Sequence, residues 1–121
     1  MKMAIVVTIT QPPFGHENAF AGLYVGSASL SKGLDVMVLL LGDGVYNARK
    51  GQVDPLKNIF MPPTENQVQD IIDMGGRVII EKEALWERGI APSELLEGIE
   101  VMESSRMMDI IIENGEKVVG F

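Results

Sequence analysis

The sequence predicts an α/β domain in three layers, a parallel sheet of about five strands with helices on both faces. Three observations carry this expectation. Five β-rich apolar runs recur along the chain. The longer runs are nearly continuous rather than alternating, the pattern of strands covered on both faces. Stretches with helical character separate them, as parallel crossovers require.

The first run is Met3-Ala4-Ile5-Val6-Val7-Thr8-Ile9, and Asp35-Val36-Met37-Val38-Leu39-Leu40-Leu41 repeats its character. Between them, His16 to Lys32 places Phe20, Leu23, Tyr24 and Leu30 at helical spacing and stops at Gly33. Gly22 and Gly26 lie four apart on that helix, which permits close approach to the sheet or to a neighbouring subunit. Thr64 is an N-cap candidate for a helix through Met74, closed by Gly75-Gly76 and followed by a third strand, Arg77 to Glu81. Pro92 to Glu97 makes one or two helical turns with Pro92 in a first position. Ile99 to Met102 is a weaker fourth strand. Ser104 or Ser105 caps a last helix through Arg106 to Ile112, and Glu116 to Phe121 forms the fifth strand. The stretch from Arg49 to Pro63 breaks this rhythm with Gly51, Pro55, Pro62 and Pro63, yet carries Leu56, Ile59, Phe60 and Met61; it reads as a lid or an intersubunit contact.

At 121 residues and 46% hydrophobic content, residues 1–121 form one domain. Seventeen acidic residues against ten basic give a net charge of −7, which repels a phosphate backbone, so no nucleic-acid partner is expected. The opening apolar run is too short to span a membrane, and Gln11-Pro12-Pro13 follows it in place of a small-residue cleavage site. The expectation is a cytoplasmic protein with no membrane partner. The absence of cysteine excludes disulfides, thiolate metal sites and cysteine nucleophiles from the chain.

Ligands of open parallel sheets bind beyond the carboxyl ends of the strands. That rule collects Thr10, Gln11 and His16 after the first strand, Gly42-Asp43-Gly44 after the second, Glu81 after the third, and Glu103-Ser104 after the fourth. Gln11, His16, Asp43, Glu81, Trp86 and Ser104 are the candidate pocket. Glu81 reads either as a helix-start residue, its charge favoured by the helix dipole, or as a pocket acid. His16 is the sole histidine, so one subunit builds no His-rich metal site; it is a capping or surface group, or a catalyst at the pocket mouth. Asp43 is a turn former or a pocket acid. Trp86 suits an interface or a pocket wall. Gly42-Asp43-Gly44 lacks the third glycine of a dinucleotide fingerprint, no phosphate loop occurs, and the eight methionines read as core or interface filler. No cofactor and no metal are expected.

Residues 75 to 90 read Gly-Gly-Arg-Val-Ile-Ile-Glu-Lys-Glu-Ala-Leu-Trp-Glu-Arg-Gly-Ile, a buried strand running into a short helix. This segment resembles the signature of the DsrE/DsrF-like family, which includes the TusD-type sulfur-relay proteins. In those members the strand ends in a cysteine and the helix ends in Arg-Gly-Ile or a close variant. Aligning Arg88-Gly89-Ile90 on that ending puts Glu81 at the sulfur-accepting position and Ala84 where some members carry a second cysteine. The opening strand and loop, Gly42-Asp43-Gly44 after the second strand, and the short closing strand extend the resemblance over most of the chain.

The resemblance implies a compact domain that assembles into homo- or hetero-oligomers, often trimers or hexamers; for this chain a homo-oligomer, trimer or hexamer, is expected, with a sulfur-relay protein as a partner. Persulfide transfer requires a thiolate, and a carboxylate cannot replace it. The leading expectation is therefore a non-catalytic DsrE-like oligomer, a binding or accessory component related to sulfur trafficking. The competing one is a small-molecule enzyme or ligand-binding protein whose intersubunit pocket uses Glu81, His16 and Asp43.

Overall fold

The computed structural model describes residues 4–14, 17–51 and 63–121. Strands β1 (Ala4–Ile9), β2 (Asp35–Leu40), β3 (Arg77–Glu81), β4 (Glu100–Met102) and β5 (Val118–Gly120) form one sheet in the order β4-β3-β2-β1-β5. Every pair is parallel, with Ala4 opposite Asp35, Leu40 opposite Ile80, Glu81 opposite Met102 and Val6 opposite Val118. Helices α1 (Asn18–Ser31), α2 (Thr64–Asp73), α3 (Lys82–Glu87) and α4 (Ser104–Asn114) make the connections.

Successive strand residues point to opposite faces, and the two faces bury very different amounts. On one, Val7, Ile9, Val36, Val38, Leu40, Val78 and Ile80 pack with Ala19 and Leu23 of α1, Val68 and Ile71 of α2, and Ala84 and Leu85 of α3. On the other, Val6, Leu39 and Ile79 pack under Met107, the one fully buried residue of α4, with Met37, Met102, Ile110, Ile111 and Val118 around them. The near-continuous apolar runs therefore do report coverage on both sides, three of the described helices against one.

The glycines of α1 face the protein's own interior. A β-carbon at Gly22 would lie 2.9 Å from the Phe121 ring, and one at Gly26 would lie 3.3 Å from the end of Ile71. Both close approaches are to this chain's own packing, which accounts for the spacing of the two glycines without a neighbouring subunit. Gly44 is bound more tightly still, because a β-carbon there would collide with the Ile9 carbonyl.

Three local expectations need correction. Gly42-Asp43-Gly44 is not an isolated turn but opens a 3-10 segment, Gly42–Ala48. α4 begins at Ser104, with Glu103 in the N-cap position, and neither serine side chain caps it. The Ser104 hydroxyl is drawn instead to Glu81. The fifth strand is shorter than its apolar run, because Gly115–Lys117 forms a 3-10 turn before Val118. Of the irregular stretch, residues 52–62, including Leu56, Ile59, Phe60 and Met61, lie outside the described residues. Its start is pinned: Arg49 bridges to Leu95 and pairs with Glu94 at 3.0 Å, and the Lys50 amide donates to the Glu94 carbonyl.

Candidate functional site

The carboxyl ends of β2, β3 and β4 meet around the side chain of Glu81. β3 ends at Glu81, which becomes the N-cap residue of α3 with extended backbone, φ −72° and ψ 117°. Alternation along β3 sends Ile79 and Glu81 to the α4 side of the sheet. One carboxylate oxygen, Oε1, accepts the Gly42 amide at 3.0 Å, and the other, Oε2, accepts the Ser104 hydroxyl at 2.7 Å. Gly42 follows β2 and Ser104 follows β4, so one side chain ties the loops on both sides of its own strand. Charge-assisted hydrogen bonds of this kind are shorter and stronger than neutral ones.

Glu81 therefore does begin a helix, but it makes no side-chain cap to α3. Its partners are a loop amide and the hydroxyl at the start of another helix. The carboxylate that serves a helix amino terminus is Glu83, whose Oε1 and Oε2 accept the Ser104 amide at 2.9 and 3.2 Å. That main-chain N–H, followed by the amide of Glu83 itself, holds the Glu83 carboxyl below the usual carboxylate range.

Asp43 lies one residue beyond Gly42 and is tied to the signature helix. Arg88 places Nε at 3.0 Å and Nη2 at 2.9 Å from Asp43 Oδ1, while Nη1 donates to the Ala84 carbonyl at 3.1 Å. The Arg-Gly-Ile ending thus has a physical reading. Arg88 fastens the loop after β2, Gly89 takes φ +64°, and Ile90 turns back into the core at 6% exposure.

The other candidates are distributed around this centre. The carbonyl of Gln11 accepts Asn47 Nδ2 at 2.9 Å, and the same amide group donates to the Gly44 carbonyl. Asn47 is fully buried and anchors the 3-10 segment to the loop after β1. Sequence reasoning passed over it, although an amide just after a Gly-x-Gly turn is a signal for such an anchor. The Thr10 hydroxyl donates to the Phe121 carbonyl at 3.3 Å. Trp86 is 70% exposed, with Lys82 Nζ 4.7 Å from its ring centroid. His16 lies outside the described residues. The structure thus joins Glu81 and Ser104 directly, brings Asp43 in through the loop that Gly42 begins, attaches Gln11 through Asn47, and leaves Trp86 on the outer surface.

Among the described residues, no three His, Cys, Asp or Glu side chains converge in a way that could hold a metal ion. Among them, too, no helix is long and apolar enough to cross a membrane. The arrangement at Glu81 is a carboxylate whose two oxygens are both engaged by protein donors.

In solved structures the same architecture recurs. The chain is similar over its whole length to the ychN protein of E. coli, with a TM-score of 0.84 at 21% identity and full coverage of both chains. It is also similar to MTH1491 of Methanobacterium thermoautotrophicum, a protein of unknown function, with a TM-score of 0.78, 14% identity and coverage of 99% of this chain and 100% of that one. In sequence it is 30% identical over 121 residues to the uncharacterized protein MJ0989 of Methanocaldococcus jannaschii, covering 98% of this chain and 100% of that one. A second relative is the uncharacterized protein MK0008 of Methanopyrus kandleri, 27% identical over 97% of this chain and 93% of its own length. The model of the DsrE/DsrF-like family matches residues 3–121, and with the parallel sheet and the Arg88 to Ile90 ending already described, the chain belongs to that family.

Proposed function

We propose that this protein is a non-catalytic DsrE-like oligomer, a binding or accessory component related to sulfur trafficking. The observation that carries the reading is the state of position 81. Where the sulfur-relay members of the family are expected to hold their acceptor cysteine, this chain has a carboxylate bonded to the Gly42 amide and the Ser104 hydroxyl. A carboxylate cannot attack a persulfide and later release the sulfur, and the chain holds no thiol elsewhere. The same bonds give Glu81 a structural task in joining the loops after β2 and β4.

Assembly is supported by apolar side chains left in water. Trp86 on α3 and Ile112 on α4 are 70% and 76% exposed, and Met108 stands one turn before Ile112 on the same side of its helix. A second copy of the chain or a relay protein would cover such surface. The test has two arms. Incubation with a labelled persulfide donor, read by intact mass, is expected to leave the protein without the added mass of a sulfur atom. Sedimentation equilibrium at micromolar concentration is expected to give a multiple of the monomer mass. A stable sulfur adduct would overturn the non-catalytic reading, and a monomer would overturn the oligomer.

A further inference from the structure

Helix α1 carries no charged residue over its 14 positions, Asn18–Ser31, in a chain of which 22% is charged. Every other described helix carries acids: Asp70 and Asp73 on α2, Glu83 and Glu87 on α3, Asp109 and Glu113 on α4. Burial accounts for only one side of α1, where Ala19, Gly22, Leu23, Gly26 and Ser29 pack inward. On the outer side Phe20, Tyr24, Ala28 and Ser31 follow one another at intervals of three and four residues, with Tyr24 62% exposed. The outward face of a surface helix is ordinarily charged.

Two details make this face resemble an interface more than a solvated surface. Phe20 and Tyr24 stack with ring centroids 6.4 Å apart, so the aromatic groups form one platform. The serines are turned back on their own helix: Ser27 donates its hydroxyl to the Tyr24 carbonyl at 3.1 Å, Ser29 to Val25 at 2.8 Å, and Ser31 to Ser27 at 3.0 Å. Their donors are already used. Depletion of charge together with enrichment in aromatic residues is the compositional mark of an interface core.

The charges that bracket α1 indicate what covers it. Glu17 precedes the helix and Lys32 follows it; both are exposed, and neither forms an ion pair among the described residues. They stand equally far in sequence from the midpoint of α1, which falls between Tyr24 and Val25. A second α1 laid antiparallel about a twofold axis through that midpoint sets Glu17 of each copy level with Lys32 of the other, whereas a parallel pair would set like charge against like. The net charge of −7 makes copies of the chain repel one another, so a self-contact requires a surface without carboxylates. Among the described helices only α1 offers one.

We propose that two copies of this chain meet through the outer faces of their α1 helices, antiparallel about a twofold axis beside Tyr24. Such a contact is isologous, each copy presenting the same patch to the other. It lies on the opposite side of the sheet from Met108 and Ile112 and is separate from any contact made there. The inference deepens the oligomeric reading above and rests on it.

The absence of cysteine supplies the test, because Tyr24→Cys introduces the only thiol of the chain. Beside a twofold axis that thiol meets its own counterpart, and mild oxidation at micromolar concentration should give a covalent dimer on a non-reducing gel. Ser31→Cys, away from the axis, should give far less. Tyr24→Glu is expected to raise the dissociation constant from sedimentation equilibrium about tenfold or more, with the circular dichroism of the fold retained because the residue is exposed. Glu17→Lys should weaken association severalfold, and adding Lys32→Glu to it should restore the parent affinity. The proposal is overturned if Tyr24→Cys cross-links no better than Ser31→Cys, or if the paired charge reversal restores nothing. It is equally overturned if Tyr24→Glu leaves the mass of an oligomeric parent unchanged, which would assign the face to a different protein. That last outcome sinks this inference alone, whereas a parent that sediments as a monomer sinks the oligomeric reading on which it rests.

Discussion

The two faces of the sheet are built from the same strands and serve different ends. Three of the described helices cover one face and bury an apolar cluster, and Asn47, buried beside it, donates its amide to the Gln11 and Gly44 carbonyls while its Oδ1 accepts no bond among the described residues. Among the described residues a single helix covers the other, with Val6, Leu39, Ile79 and Met107 completely buried there. Glu81, Ser104 and the exposed Ile112 all belong to that thinner side. The contrast teaches where a parallel sheet can place a binding surface. The heavily covered face supplies stability, which leaves the other free to carry charged and exposed groups.

The largest effects should come from the cores themselves. Leu23→Ala on the three-helix face is expected to cost about 2–5 kcal/mol in urea denaturation and to raise amide exchange throughout the sheet. Met107→Ala on the thin face should cost a similar amount, but with exchange rising first in α4, which has no other fully buried anchor. Uniform exchange in both variants would show that the faces unfold as one unit and remove the distinction.

Next is the clamp at the ends of β2, β3 and β4. Glu81→Ala removes two hydrogen bonds to a charged group and should lower stability by about 1.5–3 kcal/mol, with Glu81→Gln costing less because its oxygen still accepts the Gly42 amide. Glu81→Cys sharpens the point chemically. A thiolate there would face the Gly42 N–H and the Ser104 hydroxyl, so its alkylation by iodoacetamide at neutral pH should outpace that of free cysteine. An inert thiol in the folded variant would mean that these donors do not reach position 81.

Acid should loosen the thin side first. Glu83 is held below the usual carboxylate range by the Ser104 main-chain N–H, and Glu100 by its hydrogen bonds to Arg77. Glu94 is lowered as well, chiefly by the Ala91 main-chain N–H. A carboxylate lowered on folding contributes stability that is complete above its unfolded value, about 4.3, and is lost as pH falls through its folded value. The denaturation midpoint should therefore be nearly flat from neutral pH down to about 5 and fall below about 4. Two of these three groups act on the α4 side, so amide exchange in α4 should rise before that in α1, and Glu100→Gln should flatten part of the fall.

The smallest effect on the single chain is expected at its most exposed residues. Ile112→Asp and Trp86→Ala should each change stability by no more than about 0.5 kcal/mol. Ile112→Asp should nevertheless reduce the sedimenting mass if this face joins copies of the chain. Unchanged mass would direct the search for a contact elsewhere.

The strands were legible because burial on both sides writes a continuous apolar run, and α2 because Gly75 and Gly76 stop it sharply. The partners of Glu81 were not. Gly42 and Ser104 stand 39 and 23 residues away, and nothing local indicates that a strand-ending glutamate will reach across to both. Ser104 misled for the same reason: a serine near a helix start is a natural cap, but a carboxylate from the adjacent strand competed for its hydroxyl. The segment from residue 75 to 90 reads as a strand running into a short helix, and β3 and α3 follow that reading. The electrostatic surroundings of Glu81 came only from tertiary contacts.

The pairing of β5 with β1 has a consequence for the order of assembly. Thr10 donates its amide to the Phe121 carbonyl, and the Phe121 amide donates to Thr8, joining residues separated by more than a hundred positions. During synthesis β1 through β4 can associate in sequence, each with the strand made just before it, while the far side of β1 waits for β5. Until that strand arrives, β1 presents an unpaired edge along Val6, Val7 and Thr8, a template for the wrong strand or another chain. The three-residue strand Val118–Gly120 therefore acts as a late closing step, sealing an aggregation-prone edge that its own modest length would not suggest.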